Sequence, residues 1–270
     1  MSDKYIFMDQ YADHWRDISL MLEDNYSEYS HDATVLINTA PRYHINTFKN
    51  SNMIKYNRVI AYQLEPLIEN HWYSVETIVR NMEGADEIWD YDLDNIEVLK
   101  KYGINAKHRP CLYSKTLKRI QNLENPDIDI LFYGTLSPRR TSIIHDAFYN
   151  AYISGNHLTT ISGATTCLIH QVWGAKLDEF IARSKIIINL CPYDGKSIQQ
   201  QTRIFYPLIN NKCIISEKCN RNYYGGLIKE FSNAQEMIDL LGDLLTDDKW
   251  KQFSNNSFEE TSSILKQILR

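Results

Sequence analysis

The chain has 270 residues, 43% hydrophobic and 23% charged, enough to bury the core of one large domain or two of ordinary size. Its formal net charge is −5, with 14 Lys and Arg against 20 Asp and Glu over residues 1–128 and 15 against 14 over the remainder, which excludes a general pull toward nucleic acid. No stretch approaches the roughly 20 apolar residues of a membrane helix, and the opening MSDKYIFMDQYADHW has no signal-peptide core, so a soluble, cytoplasmic protein is expected.

Residues 4–9 (KYIFMD) read as a first strand ending at Asp9. A helix over 15–23 follows, with Trp15, Ile18, Met21 and Leu22 at helical spacing. Residues 34–38 and 58–62 are two further strands. Pro66 biases Glu65 away from helix, which puts this glutamate on the exit turn of the third strand. Ser74 is an N-cap for a helix to about residue 83 that stops at Gly84. Residues 87–90 form a short strand, 93–102 a helix closed by Gly103, and 106–113 a last strand. The alternation argues a parallel sheet flanked by helices.

The polar turn Asn125-Pro126-Asp127 is the expected boundary, giving domains 1–126 and 127–270. Beyond it, residues 128–133 (IDILFY) form a strand, a helix runs to about residue 154, 158–162 is a strand, and 163–174 reads as loop. A helix over 175–184 precedes the β-branched run Ile186-Ile187-Ile188. The loop Pro192-Tyr193-Asp194-Gly195-Lys196 then leads to a helix over 197–210 that sets Gln200 and Arg203 on one face. Cys213-Ile214-Ile215 is a strand with Ser216-Glu217 at its carboxyl end. Residues 234–245 form an amphipathic helix, and 250–269 are helical with a break at 254–256. The five cysteines are odd in number and form no CxxC pair, which supports neither a disulfide framework nor a zinc site.

Ligands of open parallel sheets gather at strand carboxyl ends and helix starts. There, a loop lysine (Lys196), a helix arginine (Arg203) and a post-strand glutamate (Glu217) suit a nucleoside diphosphate, with cations for phosphates and a carboxylate for ribose. Arg139 and Arg140 at a helix start are electrostatically unfavourable unless an anion is near. Asp9 and Glu65, both after strands, are candidate general bases, while His14 and His44 are weaker ones. Asp90-Tyr91-Asp92 reads as a helix start, so no catalytic metal is implied. No GxGxxG follows a strand, which argues against a dinucleotide site. Lys100, Lys101, Lys107, Arg109, Lys115, Lys118 and Arg119 form one basic island that could touch phosphates.

Two stretches carry a family resemblance. IDILFYGTLSPRR (128–140) resembles the opening of the second domain in GT-B glycosyltransferases, and INLCPYDGKSIQQQTRIFYPLINNKCIISE (188–217) resembles their donor-binding segment. The chain departs from the pattern at Gln200, where the family places Glu, and at Asn210-Asn211, where it places a small-residue turn. The resemblance implies an α/β fold of two Rossmann-like domains with a cleft between them. It also implies hexosyl or pentosyl transfer from a nucleotide-diphosphate sugar, a UDP-sugar first, used as co-substrate with no permanently bound cofactor. On this pattern Gly134 admits the phosphates, Arg139 or Arg140 neutralises them, Arg203 holds the diphosphate, Glu217 meets the ribose, Tyr193 lines the pocket, and Ser216 belongs to the same donor site. The acceptor is a surface glycan or, as in some phage enzymes of this fold, a hydroxymethylated DNA base touched by the basic island. The setting is then the cytoplasm of a bacterial or phage-infected cell. The alternatives are a non-catalytic nucleotide-sugar-binding module and an epimerase acting on nucleotide sugars.

Overall fold

The computed structural model describes residues 5–6, 12–27, 33–38, 40–50, 54, 58–69, 72–147, 158–161, 164–194, 198–254 and 257–268. They form two compact units, residues 1–116 with 264–270 and residues 117–263. Among the described residues no helix is long and apolar enough to cross a membrane.

In the first unit, β1 (Tyr5–Ile6), β2 (Ala33–Ile37), β3 (Arg58–Gln63), β4 (Glu87–Asp90) and β5 (Lys107–His108) lie side by side in sequence order, all parallel. Helices α1 (Ala12–Tyr26), α2 (Ile45–Lys49), α3 (Val75–Asn81) and α4 (Leu93–Lys101) connect them. Alternation along the strands divides the core. Leu36, Ala61 and Ile88 are in register on one face, where Ile45 and Phe48 of α2 cover them. Tyr62 and Trp89 face the other way and stack edge to face, with Tyr26 of α1 6.0 Å from the Trp89 ring. Burial on both faces is why β2 and β3 carry the apolar runs Val35–Ile37 and Val59–Tyr62. Ser74 and Asp92 cap α3 and α4, accepting from the N–H groups of Thr77 and Asp94. The last strand is shorter than expected. After Arg109 N–H donates to Asp90 O at 2.7 Å, Pro110 has no N–H to extend the ladder.

The second unit holds a six-stranded sheet in the order β11-β10-β9-β6-β8-β7. Its strands are β6 (Ile128–Tyr133), β7 (Leu158–Ile161), β8 (Ala164–Ile169), β9 (Ser184–Asn189), β10 (Cys213–Glu217) and β11 (Lys229–Phe231). Only β7 is antiparallel, as a hairpin with β8. The helices are α5 (Pro138–Ala147), α6 (Gly174–Arg183), α7 (Gln201–Ile209), α8 (Ala234–Leu245) and α9 (Trp250–Ser254), while α10 (Phe258–Ile268) starts here and ends in residues of the first unit. Ile130, Phe132, Ile186, Ile188 and Ile215 meet Met237, Leu241 and Leu244 of α8 and Trp250 of α9 in one core.

Two expectations are corrected here. The segment read as loop over 163–174 contains β8, whose Thr165-Thr166-Cys167-Leu168-Ile169 run gains its ladder from β6, a partner distant in sequence. The helix expected from 197 starts at Gln201. Gln201 N–H turns back to Gln199 O, and the Gln199 side chain accepts from Tyr223 N–H at 2.9 Å, which holds Gln199 and Gln200 in a tight turn ahead of the helix. The second unit also begins before the Asn125–Asp127 turn. Asn210 draws residues 117–122 onto it, accepting from the N–H groups of Arg119 and Ile120 at 3.0 and 2.9 Å and donating to Leu117 O.

Lys212, at the start of β10, is buried and donates to the carbonyls of Ala182 and Ser184 at 3.1 and 3.0 Å, satisfying the end of α6. Burial pulls its pKa down to about 8. Below that pH both folded and unfolded chains are protonated. Between about 8 and the unfolded value of about 10.4 the unfolded chain holds the extra proton, so stability rises with pH. Urea unfolding should show a Lys212→Met variant gaining on wild type near pH 7.5, and that margin shrinking by about 1–2 kcal/mol near pH 9.5. A margin that widens instead would mean that the two carbonyls outweigh burial.

Candidate functional site

From β6 the chain moves outward through β7 and β8, then returns to place β9 on the other side of β6 and continues to β10 and β11. The carboxyl ends of β6 and β9 therefore form the topological switch point of the sheet, where open α/β sheets leave a crevice for ligands. The residues leaving β6, β9 and β10 are Gly134, Leu190-Cys191 and Lys218, and α5 starts at Pro138, just after Gly134 and Thr135, with Ser137 before it.

Side chains tie these ends together. Ser137 Oγ donates to Pro192 O at 2.9 Å, joining the start of α5 to the loop after β9. Arg139, on the first turn of α5, donates to Cys191 O at 2.8 Å, to Asp194 Oδ1 at 2.8 Å and to both oxygens of Glu217. This bidentate pair raises the arginine pKa further, with the hydrogen bond to Glu217 as the leading cause. Cys191 N–H donates to Glu217 Oε2 at 2.9 Å, so the carboxylate sits in a three-donor pocket and is 9% exposed. Ser216 Oγ accepts from Asn189 Nδ2 at 2.9 Å and donates to Glu217 O, which fixes the backbone beneath that carboxylate. Arg139 and Glu217, expected to meet phosphate and ribose separately, thus lie paired with each other at one spot. Tyr193 is half-buried in the same loop, and Asp194 is exposed.

Arg203 is held differently. Its Nη1 donates to Tyr133 O at 2.7 Å, and the Tyr133 hydroxyl donates back to Arg203 O. That carbonyl is available because Pro207, four residues on in α7, has no N–H to claim it. The guanidinium lies over Gly134, where the backbone has φ +137 and a Cβ would come within 1.5 Å of Arg203 Nη1. The absence of a side chain at 134 is what lets the cation reach the end of β6.

Arg140 points the opposite way from its neighbour. It is 1% exposed and donates to Leu190 O at 2.9 and 2.6 Å and to Thr135 O at 2.8 Å. Burial lowers its pKa, and the nearby Arg203 charge adds to that. The expectation that Arg140 meets a phosphate gives way to a structural role, pinning the loops after β6 and β9. Arg139, Arg140 and Arg203 against Glu217 and Asp194 leave one formal positive charge at the switch point. Gln200 is the N-cap residue of α7, with no capping bond from its side chain. Lys196 lies outside the described residues. Sequence reasoning missed Tyr133 and Cys191; a proline inside a predicted helix was the available signal for the first.

In the first unit Glu65 follows β3, half-buried. Its Oε1 accepts from Asn38 Nδ2 at 2.9 Å, and its backbone carbonyl accepts from Gln63 Nε2 and Asn95 Nδ2 at 2.8 and 2.9 Å. Asn95 Nδ2 also lies 3.1 and 3.2 Å from the oxygens of Asp90, a fully buried carboxyl whose pKa burial drives well up. Asp9 and the side chain of His14 lie outside the described residues. His44 precedes α2 as its N-cap residue without a side-chain cap bond. Members of the basic island are dispersed in role. Arg109 is 6% exposed between the rings of Tyr26 and Trp89, Lys100 pairs with Glu97, Lys107 with Glu87 and Arg119 with Asp178. Lys101, Lys115 and Lys118 are exposed. Among the described residues no group of three His, Cys, Asp or Glu is placed to hold a metal ion.

No family model and no curated protein sequence matches the chain. Solved structures define its fold as two Rossmann-like units of the GT-B type. Anabaena Alr3699/HepE in complex with UDP and glucose aligns at a TM-score of 0.55 and 11% identity, covering 89% of this chain and 75% of that one. The same protein in complex with UDP-glucose aligns at 0.55 and 10%, covering 89% and 76%. TarM aligns at 0.51 and 10%, and this chain, 87% of it covered, spans 54% of TarM's length.

Proposed function

We propose that the chain is a glycosyltransferase that moves a sugar from a UDP-sugar to a hydroxyl acceptor. The observation that carries this reading is the Arg203 guanidinium lying over a side-chain-free Gly134 at the sheet's switch point, beside the start of α5. A diphosphate placed there would meet a cation, a close backbone approach and the N-terminal end of a helix. Arg139 and Glu217 would open to accept phosphate and ribose, with Ser216 bracing the carboxylate from below. The fold shared with UDP-bound Alr3699/HepE agrees with a donor of this kind. Glu65 is the general base in this reading, its carboxylate oriented by Asn38. A glycan hydroxyl suits the chain's net charge of −5 better than duplex DNA, whose binding draws on an excess of cations.

The test is titration with UDP by calorimetry and thermal shift. UDP at about 100 times its dissociation constant should add roughly 2.7 kcal/mol of apparent stability. Arg203→Ala should weaken UDP at least about tenfold, as expected for one lost charge-assisted hydrogen bond. Glu65→Gln should leave UDP affinity in place and abolish sugar transfer. UDP affinity that ignores Arg203 would overturn the donor site. Donor binding without turnover in wild type, against both glycan and modified-DNA acceptors, would favour the binding module that Gln200 suggests.

A further inference from the structure

Cys191 and Cys219 follow the adjacent parallel strands β9 and β10, and their sulfurs lie 3.6 Å apart. Neither is in a disulfide, and both are buried, at 2% and 9% exposure. A disulfide needs sulfurs about 2.05 Å apart, so the two sulfurs, already at 3.6 Å, must close by the remainder to bond. The other three cysteines are poor candidates for oxidation. Burial pushes the thiols of Cys111 and Cys213 up to about 12 and that of Cys167 up to about 11, leaving little thiolate. Cys191 lies beside Arg139, whose Nη1 donates to its carbonyl at 2.8 Å.

The pair brackets Glu217. Cys191 N–H holds Glu217 Oε2, Cys191 O accepts from Arg139, and Cys219 Sγ donates to Glu217 O at 3.4 Å. We propose that Cys191 and Cys219 are a peroxide-sensitive modification site whose disulfide locks the Glu217–Arg139 pair closed and weakens nucleotide binding. One thiol attacks the peroxide O–O bond, giving a sulfenic acid and water. The second thiol then attacks that sulfur, the S–S bond forms and the hydroxyl leaves as a second water. Overall, two thiols are oxidised by two electrons and one hydrogen peroxide is reduced to two waters. The disulfide ties the loop after β9 to the loop after β10, so the Cys191 amide and the backbone of Glu217 are held together and the carboxylate no longer exchanges that amide for a ribose. That consequence rests on the donor reading above, whereas formation of the bond does not.

The experiment treats the reduced full-length chain with hydrogen peroxide, removes the excess, and maps thiols and cross-linked peptides by mass spectrometry. The expected result is a fall from five titratable thiols to three, with a single 191–219 link that dithiothreitol reverses. Cys219→Ser should yield no link. UDP titration of the oxidised protein should show affinity lower by roughly tenfold, about one charge-assisted hydrogen bond, restored on reduction and absent as an effect in oxidised Cys219→Ser. Five remaining thiols, or links through Cys111, Cys167 or Cys213, would overturn the site. A 191–219 link that leaves UDP affinity unchanged would overturn its control of binding. A reduced protein that does not bind UDP at all would instead sink the donor reading and leave the disulfide result standing.

Discussion

Gly134→Ala should cost about 1–3 kcal/mol of stability through backbone strain at φ +137 and should weaken UDP by roughly 10- to 100-fold. The two effects share one cause. The new methyl would stand where Arg203 Nη1 now lies, so the guanidinium must leave Tyr133 O and the end of β6. Chemical denaturation and UDP titration of the single variant measure both losses. The combination with Arg203→Ala separates them, because removing the arginine removes the clash but not the strain. In the double variant the affinity loss should match that of Arg203→Ala alone, while part of the stability loss remains. A Gly134→Ala variant that unfolds and binds like wild type would contradict the placement of Arg203.

Arg140→Met should lower the unfolding free energy by about 2–4 kcal/mol with no nucleotide present. Methionine fills the volume but leaves Leu190 O and Thr135 O without their donors in a buried setting, at about 1–3 kcal/mol for each orphaned group. Lysine should recover only part of the loss, since one ammonium cannot reproduce a planar fork reaching two carbonyls from three nitrogens. A variant of wild-type stability with lost UDP affinity would return Arg140 to the phosphate role first expected of it.

The adjacent arginines mark where sequence stops being informative. Successive residues on a helix point about 100° apart, so Arg139 and Arg140 cannot face the same partner. Which one turns outward depends on the loop after β9, whose carbonyls take Arg140 inward. By contrast, α8 was legible in full, because its apolar stripe is written at helical spacing within the helix itself. So were β9 and the body of β10, as β-branched runs buried on two faces. β8 was not, since its threonines commit to a strand only once β6 and the β7 hairpin flank them. The reciprocal Tyr133–Arg203 clamp was half-legible. Pro207 advertised a released carbonyl, but only the fold identifies the hydroxyl that claims it.

The three-residue β11 has a further consequence, for self-association. It ends one side of the second sheet with Lys229 and Glu230, and the Lys229 ammonium rests 4.3 Å over the Phe253 ring. A long apolar edge would offer its unpaired N–H and C=O groups to a second chain. A short one carrying both signs of charge gives an incoming strand little to pair with and two charges to desolvate. Strands β9 and β10 lie inward of it, so crowded copies of this protein meet at that edge a strand that discourages sheet-to-sheet growth.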